Sequence, residues 1–194
     1  MANSKKRCRA CKEFSRPESG ITVPLGFFCS MSCVVEHGKK RATADSDKRK
    51  RQTHAKLKES VKTASQWRVE AQTALNAYIR WRDRDLPCIS CDAFGDHTGQ
   101  GGYWDAGHYR SRGAAKHLSF NQKNIHKQCH KCNRYLSGNV VEYRKRLIDR
   151  LGLPSVEYIE NNNDRVKHDI AYLKRVKSIF TRKLRLKKKL LLIN

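Results

Sequence analysis

The sequence has few long apolar runs. Within its 194 residues, none approaches the roughly 20 apolar residues that a transmembrane helix needs, so we expect no membrane-spanning segment and no membrane partner. Charged residues make up 31% of the chain, and a single large hydrophobic core is therefore not expected. Small units of this kind usually need a disulfide or a metal ion for stability. The length allows one modest domain with extensions or two small domains.

An export signal is also missing. The first residues, Met1 to Arg9, are polar and basic and contain no apolar segment of the kind found in secretory signals. We therefore expect a cytoplasmic protein in a reducing compartment, where disulfides are rare.

Acidic residues are scarce. Asp and Glu number 18 against 42 Lys and Arg, which gives a formal net charge of +24. Such a charge favours a nucleic acid as partner, and phosphate contacts by Lys and Arg would make binding strongly salt-dependent. A merely solubilising charge is the alternative. The cations crowd residues 38–59, where only Leu57 could pack, so this stretch is expected to be a basic linker or solvated helix that contacts phosphates.

Eight cysteines form four close pairs. They are Cys8 and Cys11, Cys29 and Cys33, Cys88 and Cys91, and Cys129 and Cys132. Two or three intervening residues, repeated four times, are typical of zinc sites with four thiolate ligands. A disulfide framework or inert core thiols would not require this spacing. We therefore predict two structural Zn²⁺ sites, one in residues 1–37 and one built from the last four cysteines.

Polar residues with catalytic potential lie between and directly after the second two pairs. Hydrolysis of a phosphodiester needs a base with a pKa near neutrality, and His108 is the candidate. It also needs a divalent cation, Mg²⁺ or Mn²⁺, with oxygen ligands, which Asp105 and Asn133 could supply. Asn124 could hold the base in position. Residues 103–109 and 118–128 are expected to form a hairpin, and a helix is expected to begin at Asn133.

Cations near the candidate base could bind the phosphate. Arg110, Arg112 and Lys116 follow His108, and together with Lys127 they are the predicted nucleic-acid contacts. A solvated loop is the alternative for these side chains.

The order of these residues resembles the HNH nucleases of the HNN variety. Four segments are also similar to the NinG (Rap) family of lambdoid phages: RDRDLPCISC at 82–91, WDAGHYR at 104–110, NIHKQC at 124–129 and SGN at 137–139. The similarity is strong over residues 60–160 and weaker over the N-terminal cysteine module. One departure concerns Gly107, because many HNH enzymes have Asp or His directly before the base.

The resemblance implies a phage-encoded endodeoxyribonuclease in the bacterial host cell. It would cut branched DNA, such as Holliday junctions and D-loops, during homologous recombination, with His108 as general base. Asn124 would orient the histidine loop and Asn133 would bind Mg²⁺ or Mn²⁺, whereas Asp105 would either bind the metal or only orient His108. Because symmetric cutting of a junction needs two active sites, a homodimer is expected. Its candidate interfaces are the amphipathic helices predicted at 60–85 and 165–181.

The expected fold is α+β. A zinc-pinned ββα-metal core would be embedded in helices, with a small zinc knuckle at the N-terminus. The expected divisions are the N-terminal module at 1–37, the basic stretch at 38–59, a helix plus the nuclease core at 60–152, and a basic helical region at 153–194. A zinc module that binds nucleic acid without cutting it fits the charge and the cysteines equally well. An RNA-processing nuclease would share the same core and is the other alternative.

Overall fold

The structure is a computed structural model, and it describes residues 5–95 and 103–191. Two compact units divide the chain, one up to Lys62 and the other from Thr63 onward. Among the described residues, the first unit has one α-helix and two short antiparallel sheets, and the second has four α-helices and one such sheet, so the predicted α+β class is confirmed. None of the helices in the described ranges has the length and apolarity to cross a membrane.

The N-terminal unit is built from two small hairpins and one long helix. Strands β1 (Lys6–Arg7) and β2 (Phe14–Ser15) form the first hairpin, and β3 (Ile21–Val23) and β4 (Gly26–Phe28) form the second. The backbone of Gly26 has φ +124°, a conformation that favours glycine at this tight turn. The Cys8, Phe28 and Cys33 side chains are buried together, so cysteine side chains form a large part of the small core of this unit.

Helix α1 (Met31–Ser60) follows the second hairpin. It runs continuously through the boundary that was expected between residues 37 and 38. Ser30 begins it by accepting a hydrogen bond from the Cys33 backbone N–H at 3.3 Å. From Gly38 to Ser60 every residue is exposed, and Leu57 is 62% exposed. Of the two forms considered for this basic stretch, the structure therefore has the solvated helix.

The second unit is built around one hairpin. Strand β5 (Trp104–His108) pairs antiparallel with β6 (Ile125–Cys129), with Gly107 opposite His126 and Asp105 opposite Gln128. One face of this hairpin, including Ala106 and Ile125, packs on α2 (Ala64–Arg82) and α5 (Ile170–Leu191). The other face lies towards α3 (Val140–Leu151), which continues after Gly152 into α4 (Leu153–Asn161).

Helices α2 and α5 bury their apolar stripes against each other. Trp67 and Leu75 of α2 share one core with Leu173, Val176 and Phe180 of α5. These two helices were the candidate dimer interfaces. Their apolar stripes are covered within the chain, so only their other faces are open to a partner.

The helix expected at Asn133 is only one turn long. Residues Lys131–Tyr135 form a single π-helical turn that carries Asn133. Ser137, Gly138 and Asn139 then have positive φ angles, and this left-handed backbone ends the turn before α3 begins. Short as it is, the turn places Cys132 and Asn133 beside the end of β6.

His126 lies on strand β6, on the face of the hairpin towards α3, and is 4% exposed. Its Nδ1 is 3.1 Å from the Tyr143 hydroxyl, which donates a hydrogen bond to the Gly107 carbonyl at 3.1 Å. Burial, and to a smaller extent the nearby Arg82 guanidinium, lower the pKa of His126 to about 3. The imidazole is therefore neutral in the folded protein at physiological pH.

This burial predicts an acid sensitivity. Below about pH 6.5 the unfolded chain gains a proton at residue 126 and the folded chain does not, so stability falls by about 1.4 kcal/mol per pH unit. Between pH 7.5 and 5.5 we expect the wild type to lose about 1.4 kcal/mol more than His126→Gln in urea unfolding followed by tryptophan fluorescence. Equal losses in the two proteins would show that His126 is not the titrating group.

Candidate active site

Both cysteine quartets have the geometry of four-thiolate metal sites. Within each quartet, the four sulfur atoms lie within 4.8 Å of one another. In the second quartet Cys91 Sγ is 3.8 Å from Cys129 Sγ, and in the first Cys29 Sγ is 3.5 Å from Cys33 Sγ. Tetrahedral Zn²⁺ with Zn–S bonds of about 2.3 Å places its sulfurs about 3.8 Å apart. The two quartets are thus compatible with two zinc sites.

The second quartet joins three segments of the chain. Cys88 and Cys91 lie on the loop after α2, Cys129 ends β6, and Cys132 lies on the π-helical turn. Backbone N–H groups of Cys129 and Ser90 point at Cys88 Sγ, at 3.3 and 3.4 Å. Such donors stabilise negative charge on sulfur. With four protein ligands the site is closed, which is typical of a structural metal site and not of a catalytic one.

His108 is the last residue of β5 and is held by a backbone carbonyl. Its Nε2 is 3.2 Å from the backbone carbonyl oxygen of Ser119. A carbonyl can only accept a hydrogen bond, so Nε2 carries the hydrogen and the lone pair is on Nδ1. Burial lowers the pKa of His108, and the Arg112 charge lowers it further against the opposing effect of the Ser119 carbonyl. The neutral ring is therefore a proton acceptor at physiological pH.

Asn124 fixes the chain just after this histidine. Its side chain is fully buried, accepts from the Arg110 N–H at 2.9 Å and donates to the Arg110 carbonyl at 3.0 Å. The Asn124 carbonyl also accepts from the Tyr109 N–H at 2.8 Å. The buried amide therefore holds the exit from β5 in one conformation.

Asp105 and Asn133 are in direct contact. Asn133 Nδ2 donates to Asp105 Oδ2 at 2.8 Å, and the Arg134 guanidinium donates to both carboxylate oxygens at 2.9 and 3.1 Å. Burial raises the pKa of Asp105, but Arg134 and Asn133 lower it more, so the carboxylate is ionised. A carboxylate beside an amide is a donor set that suits Mg²⁺ or Mn²⁺. Arg134 shares this carboxylate and would compete with such a cation.

One cavity of about 370 Å³ brings the predicted catalytic residues together. Asp105, His108 and Asn133 all line it. Asn124 does not line it, but binds the backbone of Arg110 in the loop that follows His108. The complete lining is Asn76, Arg80, Asp105, Ala106, His108, Ser111, Arg112, Asn133, Arg134, Ser137 and Gly138. The cavity therefore combines a neutral imidazole, a carboxylate, an amide and three guanidinium groups.

The comparisons with known proteins give one family. The family described as "Bacteriophage Lambda NinG protein" matches residues 1–190. Proteins named "Protein ninG" are 38% identical in Escherichia phage lambda, 37% in Salmonella phage P22 and 36% in Escherichia phage 933W. These alignments cover 94, 95 and 94% of this chain and 93, 95 and 93% of the respective relatives. The chain belongs to the NinG family. No solved structure matches it.

The NinG match includes both units and both cysteine quartets, since all eight cysteines lie within residues 1–190. The NinG similarity expected over residues 60–160 therefore extends across almost the whole chain.

The contribution of α2 to this cavity was not predicted from the sequence. Asn76 and Arg80 line it, and Gln72 donates to Asn76 Oδ1 at 2.8 Å. Gln72, Asn76 and Arg80 follow one another at four-residue spacing, which places them in one row on the helix. That polar row, on the helix predicted at 60–85, was the available signal.

Two of the predicted nucleic-acid contacts are engaged inside the protein. The Arg110 guanidinium donates to the carbonyls of Ile159 and Asn162 at 3.0 and 2.6 Å. Lys127 is 2% exposed, and its Nζ donates to the Arg84 carbonyl at 3.0 Å beside the Trp104 ring. These contacts correct the assignment of both residues to DNA. Arg112 and Lys116 are exposed, and Arg112 lines the cavity of His108.

Proposed function

We propose that this NinG-family protein is a metal-dependent DNA endonuclease of the ββα-metal (HNH) type. Its substrate would be branched DNA such as Holliday junctions and D-loops, and it would act in recombination in the cytoplasm of the phage host. The observation that carries the proposal is the shared cavity of Asp105, His108 and Asn133, whose wall includes three arginines. A base, oxygen ligands for a hard cation and phosphate-binding groups are what phosphodiester hydrolysis requires.

In this proposal His108 activates the water. Nδ1 accepts the proton as the water attacks phosphorus, and the Ser119 carbonyl keeps the other nitrogen protonated. Since burial lowers the pKa of His108, the imidazole stays neutral at a pH lower than that at which an ordinary histidine becomes protonated. Asn124 contributes by holding the loop that follows the base.

Asp105 and Asn133 are the residues that would hold Mg²⁺ or Mn²⁺. Such a cation supplies charge stabilisation for the phosphoryl and leaving oxygens. Arg80, Arg112 and Arg134 would bind the phosphate and the charge that develops on it. Arg134 already holds the Asp105 carboxylate, so it positions that group in the absence of substrate.

We further propose that both quartets hold zinc and that the cleaving species is a homodimer. The second zinc would connect the end of β6 to the turn that carries Asn133. This one-turn helix would be the α element of the ββα arrangement, after β5 and β6. Two clefts are needed for symmetric cutting of a four-way junction.

A cleavage assay tests the nuclease. We expect Mg²⁺- or Mn²⁺-dependent nicking of a synthetic four-way junction that EDTA abolishes and that falls at least about 100-fold in His108→Ala, because a general base contributes 10²–10⁴-fold. The acid limb of kcat/KM should lie below about pH 6.5, the ordinary pKa of histidine. His54→Ala, an exposed histidine on α1, is the matched control and should cut like the wild type.

Other outcomes identify the rival functions. Tight junction binding without nicking across several metals would favour a zinc-containing binding module. Cleavage of RNA in preference to any DNA would favour an RNA-processing nuclease. Nicking that persists in His108→Ala would show that His108 is not the general base.

A further inference from the structure

A second, larger cavity lies on the other side of the loop that follows His108. Its volume is about 520 Å³, and its lining is Gly113, Ala114, Lys116, His117, Asn163, Asp164, Arg165, Val166 and Lys167. Ser111 and Arg112 of the same loop line the cavity of His108. One short loop therefore separates the two cavities.

The second cavity is cationic. Lys116, Arg165 and Lys167 line it with one carboxylate, Asp164, and all four of these residues are exposed. Three positive charges against one negative charge favour an anionic ligand, and exposed Lys and Arg are the side chains that bind phosphate oxygens. An open site with flexible cations suits a phosphate that is part of a longer chain better than a small enclosed anion.

The wall formed by residues 162–167 is held in place. Arg110 donates to the Asn162 carbonyl at 2.6 Å and to Asn163 Oδ1 at 2.9 Å. His117 Nε2 lies 3.0 Å from the same Asn162 carbonyl. At the far end His168 is buried, with ring centroids 5.1 Å from Phe120 and 4.7 Å from Tyr172. Contacts within the protein therefore hold this wall at both of its ends.

We propose that this second cavity binds a backbone phosphate of a nucleic-acid strand at a position other than the one cut at His108. This inference rests on the proposed function for the choice of DNA as the nucleic acid. Lys116, Arg165 and Lys167 would then bind the substrate, and Arg110 would hold the wall of the site through its bonds to Asn162 and Asn163. The loop Ser111–Lys116 then lies between two phosphates of one substrate.

A charge placed in the wall tests the proposal. Ala114 is exposed and lines the cavity, so Ala114→Glu adds a carboxylate there, while Ala114→Gln adds the same shape without charge. Measured in the His108→Ala background, Ala114→Glu should weaken duplex binding by about tenfold and lower the slope of log K against log salt by about one, as expected for one lost phosphate contact. Ala114→Gln should bind within about twofold of its parent.

Two further comparisons make the result specific. Val69→Glu, at an exposed position of α2 that lines neither cavity, changes the net charge equally and should leave the slope unchanged. An equal loss in Val69→Glu and Ala114→Glu would overturn the proposal. Amide signals of Gly113 and Ala114 should shift with a short duplex and only weakly with inorganic phosphate. Saturation by inorganic phosphate without competition from the duplex would instead identify a site for free phosphate. Because binding is measured without cleavage, the second site can stand even if no nuclease activity is found.

Discussion

Cys129→Ser is expected to unfold the C-terminal unit, whereas Cys29→Ser is expected to leave it folded. Cys129 ends β6, and its sulfur lies in the quartet that joins this strand to the loop of Cys88 and the turn of Cys132. Structural zinc contributes about 10–16 kcal/mol in small peptides, which is as large as the whole stability of a typical domain. Loss of one thiolate should therefore remove the cooperative unfolding transition of this unit.

Tryptophan fluorescence separates the two units. All three tryptophans, Trp67, Trp81 and Trp104, lie in the C-terminal unit. We expect Cys129→Ser to have the emission of an unfolded chain, and Cys29→Ser to keep the wild-type melting curve although it binds one zinc fewer. A wild-type melting curve for Cys129→Ser, with the metal content measured on the same sample, would show that the second quartet does not hold the hairpin together.

Helices with an apolar stripe could be predicted from the sequence. Leu173, Val176 and Phe180 recur at three- to four-residue spacing, and the structure buries all three against α2. The periodicity does not say what covers a stripe, however. Both helices were candidates for a dimer interface, whereas in the structure each stripe is covered by the other helix, which lies about 100 residues away in the sequence.

The candidate catalytic residues could be grouped from the sequence because the neighbouring cysteines bring their segments together. Asp105 and Asn133 are 28 residues apart, but Cys129 and Cys132 place the turn of Asn133 beside the strand of Asp105. The roles of single cations could not be predicted in this way. Arg110 follows His108 by two residues, yet its acceptors are carbonyls some 50 residues downstream.

Gly107 can be explained only from the structure. Its φ angle is not in the left-handed region, so conformation alone does not require glycine here. Space does, because a Cβ at this position would overlap Gln128 Oε1 and lie 2.9 Å from Gln128 Cδ. Gln128 is fully buried and donates to Ser90 Oγ at 2.7 Å and to the Gly138 carbonyl at 2.6 Å, so it cannot move aside. The departure from HNH enzymes with Asp or His before the base thus matches a buried glutamine on the neighbouring strand.

Gly107→Asp should therefore destabilise the protein and should not strengthen metal binding. Overpacking costs about 1–3 kcal/mol, and a buried carboxylate without a partner adds several more, so we expect a total loss above about 4 kcal/mol in urea unfolding. Gly107→Ala should show the steric part alone. In the double variant Gly107→Ala with Gln128→Ala, the overlap is relieved, and the loss should be smaller than the sum of the two single losses. A stable Gly107→Asp that binds Mn²⁺ more tightly than the wild type would mean that the glycine is not required by packing, and that an aspartate before the base can act as a metal ligand in this fold.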